Sequence, residues 1–174
     1  MILKLKRTPG LYLVGFMGCG KTTVGPMVAD ELGWAFIDID QEIEADQRAG
    51  IPEIFAERGE PEFRRIESEV LRSSVRLVQR GRPMVLALGG GAFAQPHNYD
   101  LLEENGVTVW MECPLEVLRE RVGGDPNRPL ARDARTMGEL FEVRRETYAK
   151  ADFRVDATPD PWTVSRSILR LPIF

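Results

Sequence analysis

A chain of 174 residues is long enough for one globular unit that buries roughly two-thirds of the surface its unfolded form would expose. With 43% hydrophobic and 29% charged residues it reads as a folded soluble protein, neither disordered nor fibrous. A formal net charge of -4 argues against a duplex-binding face, and no apolar run approaches the roughly 18 residues of a membrane span, so small molecules are the expected partners, with no nucleic acid and no membrane.

At the amino end, residues 1–7 mix lysine and arginine with apolar residues and lead into Thr8-Pro9-Gly10, the reverse of a secretory leader's order. Only two cysteines occur, Cys19 and Cys113, and Cys19 lies inside a motif that a disulfide would obstruct. Cytoplasm is the expected compartment.

Apolar runs rich in β-branched and aromatic residues predict strands at 11–14, 35–38, 84–88, 107–111 and 153–155. Longer segments of helical periodicity separate them, at 21–32, 62–77, 98–104, 114–121, 137–150 and 161–169. The first helix carries Val24, Val28 and Leu32 at fourfold spacing and stops at Gly33. Alternation of this kind predicts an α/β fold with a five-stranded parallel sheet flanked by helices. Residues 123–135 are too polar for core and too rich in Gly and Pro for regular structure, and are read as a long loop of the lid kind.

Gly15-Phe-Met-Gly-Cys-Gly20-Lys21-Thr22 satisfies G-x-x-x-x-G-K-[ST] between an apolar strand and a periodic helix, which is the context a P-loop needs. Its glycines let backbone amides face phosphate oxygens, and the helix start adds partial positive charge. Lys21 neutralises the transferred phosphate and the Thr22 hydroxyl ligates Mg²⁺. ATP with Mg²⁺ is the expected nucleotide, held by Gly18, Cys19, Gly20, Lys21, Thr22 and Thr23. No guanine-reading Asn-Lys-x-Asp occurs, which disfavours a GTPase.

Downstream of the second strand, Asp38-Ile-Asp40 at strand spacing would aim two carboxylates the same way beside the P-loop, one for Mg²⁺ and one for an acceptor hydroxyl. A helix N-cap plus a solvated acid is the alternative. Gly89-Gly90-Gly91 follows the third strand and allows close approach of a ligand to backbone. Arg64 and Arg65, then Arg119, Arg121, Arg128, Arg132, Arg135, Arg144 and Arg145, concentrate positive charge in an acidic chain and suggest an anionic ligand. His97, the single histidine, has no cysteine cluster near it, so a loop or helix-start role is preferred to zinc.

Taken in order, these residues resemble the shikimate kinase family, within the nucleoside monophosphate kinase structural group. The resemblance runs through Gly-x-x-Gly-x-Gly-Lys-Thr, Phe36-Ile-Asp-Ile-Asp40, Ile43-Glu44, Gly50-Ile51, Ile54-Phe55, Gly59-Glu60, Phe63-Arg64, Glu67, Leu88-Gly-Gly-Gly-Ala92, Arg121, Arg128-Pro-Leu130, and Arg144 four residues before Tyr148. It implies a three-layer P-loop kinase fold with a mobile lid over about 122–136 and a substrate-binding helical region over about 40–68. It also implies phosphorylation of the shikimate 3-hydroxyl by ATP. On that resemblance Arg64 and Arg144 grip the shikimate carboxylate, and Asp40 with the Gly89 to Gly91 backbone meets the hydroxyls. Lys21, Asp40 and Arg128 are then catalytic, Thr22 and Asp38 serve Mg²⁺, and Arg121 flanks the nucleotide.

Cys19 is a departure from the family, at a P-loop position that need only be small. Either it fills space, or its thiol at a helix start is a site where oxidation blocks ATP. The segment 156–161 also departs, being less basic than in many members. Rival readings are a gluconate or nucleoside monophosphate kinase, and a catalytically silent nucleotide-binding module. A monomer is expected.

Overall fold

The computed structural model describes residues 10–123 and 134–174. Five parallel strands form one sheet: β1 (Gly10–Val14), β2 (Ala35–Asp38), β3 (Met84–Ala87), β4 (Val107–Glu112) and β5 (Phe153–Asp156), in the order β2-β3-β1-β4-β5. All residues of β1 and β3 are buried and β4 nearly so, as continuous apolar runs covered on both faces should be. The two outer strands, β2 and β5, expose residues.

Helices cover the sheet. They are α1 (Lys21–Leu32), α2 (Ile39–Gln47), α3 (Ile51–Gln79), α4 (Pro96–Asn105), α5 (Leu115–Val122), α6 (Ala134–Tyr148) and α7 (Pro161–Leu169), with one 3₁₀ turn at Ala92–Ala94. α1 packs against α7 and against β2 and β3, while α3 packs against α2 and α4. Among the described residues no helix is long and apolar enough to cross a membrane.

All five predicted strands are present. Three differences concern helices. Residues 39–47 form α2, because Asp38 has extended backbone and its carboxylate accepts from the Asp40 and Gln41 amides, an N-cap that starts a helix where the spacing of the two acids predicts strand. Ile39 and Ile43 then fall on one buried face. Second, α3 begins at Ile51 and breaks at Gly59, whose φ of 80° and ψ of 168° are non-helical. Pro61 follows the break, where its missing N–H costs nothing. Glu44 Oε1 accepts from the Ile51 amide at 3.0 Å and so ties α2 to the start of α3. Third, α6 begins at Ala134 and takes Arg135 into its first turn, shortening the expected loop. Arg128 and Arg132 lie outside the described residues.

Strand register brings the site together. Leu13 pairs with Ala87, and Ala87 with Asp38, so the P-loop after β1, the three glycines after β3 and the cap of α2 all leave the sheet at one level. That is the carboxyl edge, where open parallel sheets bind ligands.

The contact between α1 and β2 has little slack. Gly25 is buried in α1, and a side chain there would run into the Phe36 ring. Gly25→Ala should therefore destabilise by about 1–3 kcal/mol through overpacking, despite its better helix propensity. Urea unfolding measures this as a lowered midpoint at unchanged slope, and an unchanged midpoint would contradict it.

Candidate active site

The P-loop turns at Gly18 and Gly20, whose φ values of 83° and 101° are strained for any residue with a side chain. Gly20 is the N-cap of α1, and no side chain caps the first amides of that helix. Its positive end is open to an anion. Lys21 folds back so that Nζ donates to the Gly15 carbonyl at 2.7 Å and the Phe16 carbonyl at 3.2 Å, 3.5 Å from Cys19 Sγ. Cys19 is only 2% exposed, which fits the space-filling reading of its small side chain and leaves its sulfur little reached by solvent.

Arg121, near the end of α5, joins the loop to the segment after β5. Its Nη1 donates to the Gly18 carbonyl at 3.3 Å, and Nη2 donates to the carbonyls of Ala157 and Thr158 at 3.1 and 3.0 Å. Beside it is a cavity of about 350 Å³ between Gly18, Gly20 and Thr23 on one side and 157–161 on the other. Asp160 there caps α7 through the Thr163 amide.

Asp38 and Asp40 do not point together as strand neighbours would. Asp38 divides its oxygens: Oδ1 accepts from the α2 amides, and Oδ2 accepts from the Thr22 hydroxyl at 2.6 Å. The two residues expected at Mg²⁺ are therefore adjacent. Asp40 sits in the first turn of α2 and turns toward Gly89. Burial raises its carboxyl to about 6, and the negative charge of Asp38 adds to the rise while Lys21 opposes it.

The three glycines are where the chemistry-bearing side chains meet. A side chain on Gly89 would begin 2.6 Å from Asp40 Oδ1 and 3.2 Å from Glu67 Oε2, one on Gly90 would begin 2.8 Å from Arg144 Nη1, and one on Gly91 would collide with the Arg64 guanidinium. What the glycines admit is first of all the site's own charges. Arg64 donates to Glu67 at 2.9 Å and reaches Glu60 at 3.4 Å, and it lies 5.3 Å from the Phe63 ring centroid. Its buried Nε has no acceptor among the described residues, and an anionic ligand would suit it. Arg144 lies 5.8 Å from the Phe16 centroid and is in no ion pair with a described carboxylate.

So Lys21, Thr22, Asp38, Asp40, Arg64, Arg144 and the glycines gather at one edge of the sheet. Arg65 instead pairs with Glu62 and Glu69 on the exposed side of α3, and Arg135 pairs with Glu139, also exposed. His97 is near the start of α4, with Nε2 2.7 Å from the Ser68 hydroxyl. Arg128 is outside the described residues. Among the residues not expected as site members is Glu67, 1% exposed, whose carboxyl is pushed up to about 7 by burial, with the charge of Asp40 adding and Arg64 and Arg144 opposing. An acid three positions after an arginine on a helix is the sequence signal for it. The other is Tyr148, which hydrogen-bonds the Gly90 carbonyl across 58 positions of sequence.

The family model described as shikimate kinase matches residues 17–170. A shikimate kinase from Persephonella marina is 42% identical over 164 residues, covering 91% of this chain and 96% of the relative. Among solved structures, the shikimate kinase from Acinetobacter baumannii in complex with shikimate is 35% identical with a TM-score of 0.88, covering 96% of this chain and 94% of that one. A gluconokinase from Sinorhizobium meliloti is 18% identical at a TM-score of 0.57, a likeness of fold alone.

Glu67 makes stability depend on pH. Its folded pKa of about 7 exceeds the ordinary 4.5, so the folded chain holds the proton more tightly than the unfolded one. That contribution is complete below 4.5 and is lost as pH rises toward 7. Thermal unfolding should therefore show the midpoint falling between pH 5 and about 7.5 more steeply in the wild type than in Glu67→Gln, since Gln cannot titrate. Equal slopes would show that Glu67 titrates normally.

Proposed function

The chain belongs to the shikimate kinase family, and we propose that its clustered edge transfers the terminal phosphoryl group of ATP to the 3-hydroxyl of shikimate, giving shikimate 3-phosphate and ADP. The observation that carries this reading is the meeting of Asp40, Arg64 and Arg144 against three residues without side chains, at the same edge of the sheet as an open P-loop. Two guanidiniums suit a carboxylate, and an acid beside them suits a hydroxyl.

On this reading the amides of Gly18 to Thr22 hold the phosphates, and Thr23 and Arg121 border the nucleotide in the cavity by 157–161. Lys21 exchanges its bonds to the Gly15 and Phe16 carbonyls for phosphate oxygens. The oxygens of Thr22 and Asp38, 2.6 Å apart, are hard donors of the kind Mg²⁺ takes along with waters and phosphates. The ion, when bound, draws off charge that builds on the phosphates during transfer. Arg64 and Arg144 fix the acceptor by its carboxylate. Asp40 accepts the hydrogen bond, and finally the proton, of the attacking hydroxyl, its raised pKa bringing it nearer to working pH as a base. Arg128 is assigned to the transferred phosphate by its place in the family motif.

A nucleoside monophosphate would share the P-loop but brings no carboxylate to this arginine pair, whereas gluconate brings both a carboxylate and hydroxyls and is separated from shikimate by turnover. ADP formation followed by a coupled assay with shikimate, gluconate and nucleoside monophosphates separates them; turnover confined to shikimate is expected, and preference for another acceptor overturns the reading.

Arg64→Ala and Arg144→Ala should each raise KM for shikimate roughly 10- to 100-fold, the loss of a charge-assisted contact, with ATP affinity by calorimetry unchanged. Asp40→Asn should instead lower kcat by roughly 10²-fold or more, the loss of the base, with little change in either KM.

A further inference from the structure

α6 carries two residues to the triple-glycine turn, one helical turn apart: Arg144 and Tyr148. Only the first has a role in the reading above. The Tyr148 ring is 2% exposed and lies against Trp110 of β4, with ring centroids 6.2 Å apart. Its hydroxyl is not buried as a bystander. It donates to the Gly90 carbonyl at 2.5 Å, and it stands 3.4 Å from the point where a Gly90 side chain would begin, with Arg144 Nη1 2.8 Å from that same point. The hydroxyl and the guanidinium therefore flank one backbone position.

The hydroxyl has a single proton, and the carbonyl takes it. What it presents to the neighbouring guanidinium is lone pairs, so it can accept from Arg144 while donating to Gly90. The charge of Arg144 accordingly works against the burial that raises this phenol. The tether also has a lever. The Gly90 carbonyl and the Gly91 amide belong to one planar trans peptide and point in opposite directions. Fixing the carbonyl on Tyr148 fixes where the Gly91 N–H is aimed. None of the amides of Gly89, Gly90 and Gly91 donates to another described residue, so these donors are available to a ligand. Without side chains the turn has wide backbone freedom, and an unanchored turn of three glycines would not hold one orientation.

We propose that Tyr148 is a positioning residue of the acceptor pocket: its hydroxyl clamps the Gly90 peptide and the Arg144 guanidinium to each other, setting the aim of the Gly91 amide and of one carboxylate-binding arginine together. It acts through these two groups and touches no reacting atom. The inference rests on the shikimate reading above, and wild-type turnover of shikimate tests that reading separately.

The experiment is Tyr148→Phe, which keeps the buried ring and removes one oxygen. KM for shikimate should rise about tenfold, the size expected for one hydrogen bond whose partner is left unpaired, while KM for ATP stays at the wild-type value. Trp110→Phe serves as the comparison for packing. It loosens the same ring contact without touching the hydroxyl, so it should lower the melting midpoint yet leave KM for shikimate unchanged. Shikimate titrations run below both variants' melting midpoints keep folding out of the measurement. An unchanged KM for shikimate in Tyr148→Phe overturns the proposal. So does an equal rise in Trp110→Phe, or a Tyr148→Phe chain that does not fold, since either assigns the hydroxyl to the fold. If the wild type does not phosphorylate shikimate at all, the functional reading fails first, whatever the variant does.

Discussion

Everything at the acceptor side depends on close approach to a backbone that has no side chains. Asp40, Glu67, Arg64 and Arg144 come from three helices, and each comes within van der Waals or hydrogen-bond range of the turn at Gly89 to Gly91. Side chains at those positions would occupy the space the charges now fill. The burial that results strengthens each electrostatic interaction and raises both carboxyls, one to about 6 and the other to about 7. Packing and reactivity here have one origin, the exclusion of water from a small set of opposed charges.

The P-loop side is organised differently, by contacts among backbone carbonyls, Lys21 of the loop and Arg121 of α5. Lys21 rests on carbonyls of its own loop, and Arg121 pins the Gly18 carbonyl to the segment after β5. Such contact lowers the ordering cost that a ligand meets on binding. Register brings the P-loop, the triple-glycine turn and the start of α2 to the same level of the sheet, which is what the proposed pairing of a phosphate donor with a carboxylate acceptor needs.

Much of this was legible in the chain. The strands follow from short apolar runs, and the P-loop from a motif whose flanking elements agree with it. Where the reading failed, two periodicities competed. Asp38-Ile-Asp40 spaces its acids by two, as a strand does, but a carboxylate followed by free amides also starts a helix, and the buried Ile39 and Ile43 pair decides for the latter. Glu67 could be named from its spacing after Arg64, whereas its burial could not, because the glycines and Asp40 that enclose it are distant in sequence. Tyr148 and Gly90 stand 58 positions apart, and only the fold relates them.

Asp38 has a consequence of another kind. One of its oxygens starts α2 and the other engages Thr22, so a single carboxylate joins a scaffold duty to the chemical one proposed for it. A lineage drifting away from catalysis could shed Asp40 at small structural expense, but discarding Asp38 would also fray the helix on which Asp40 rides. On the proposed roles, decay of function in this fold is stepwise and ordered: Asp40 is the dispensable carboxylate, and Asp38 persists because a helix starts on it.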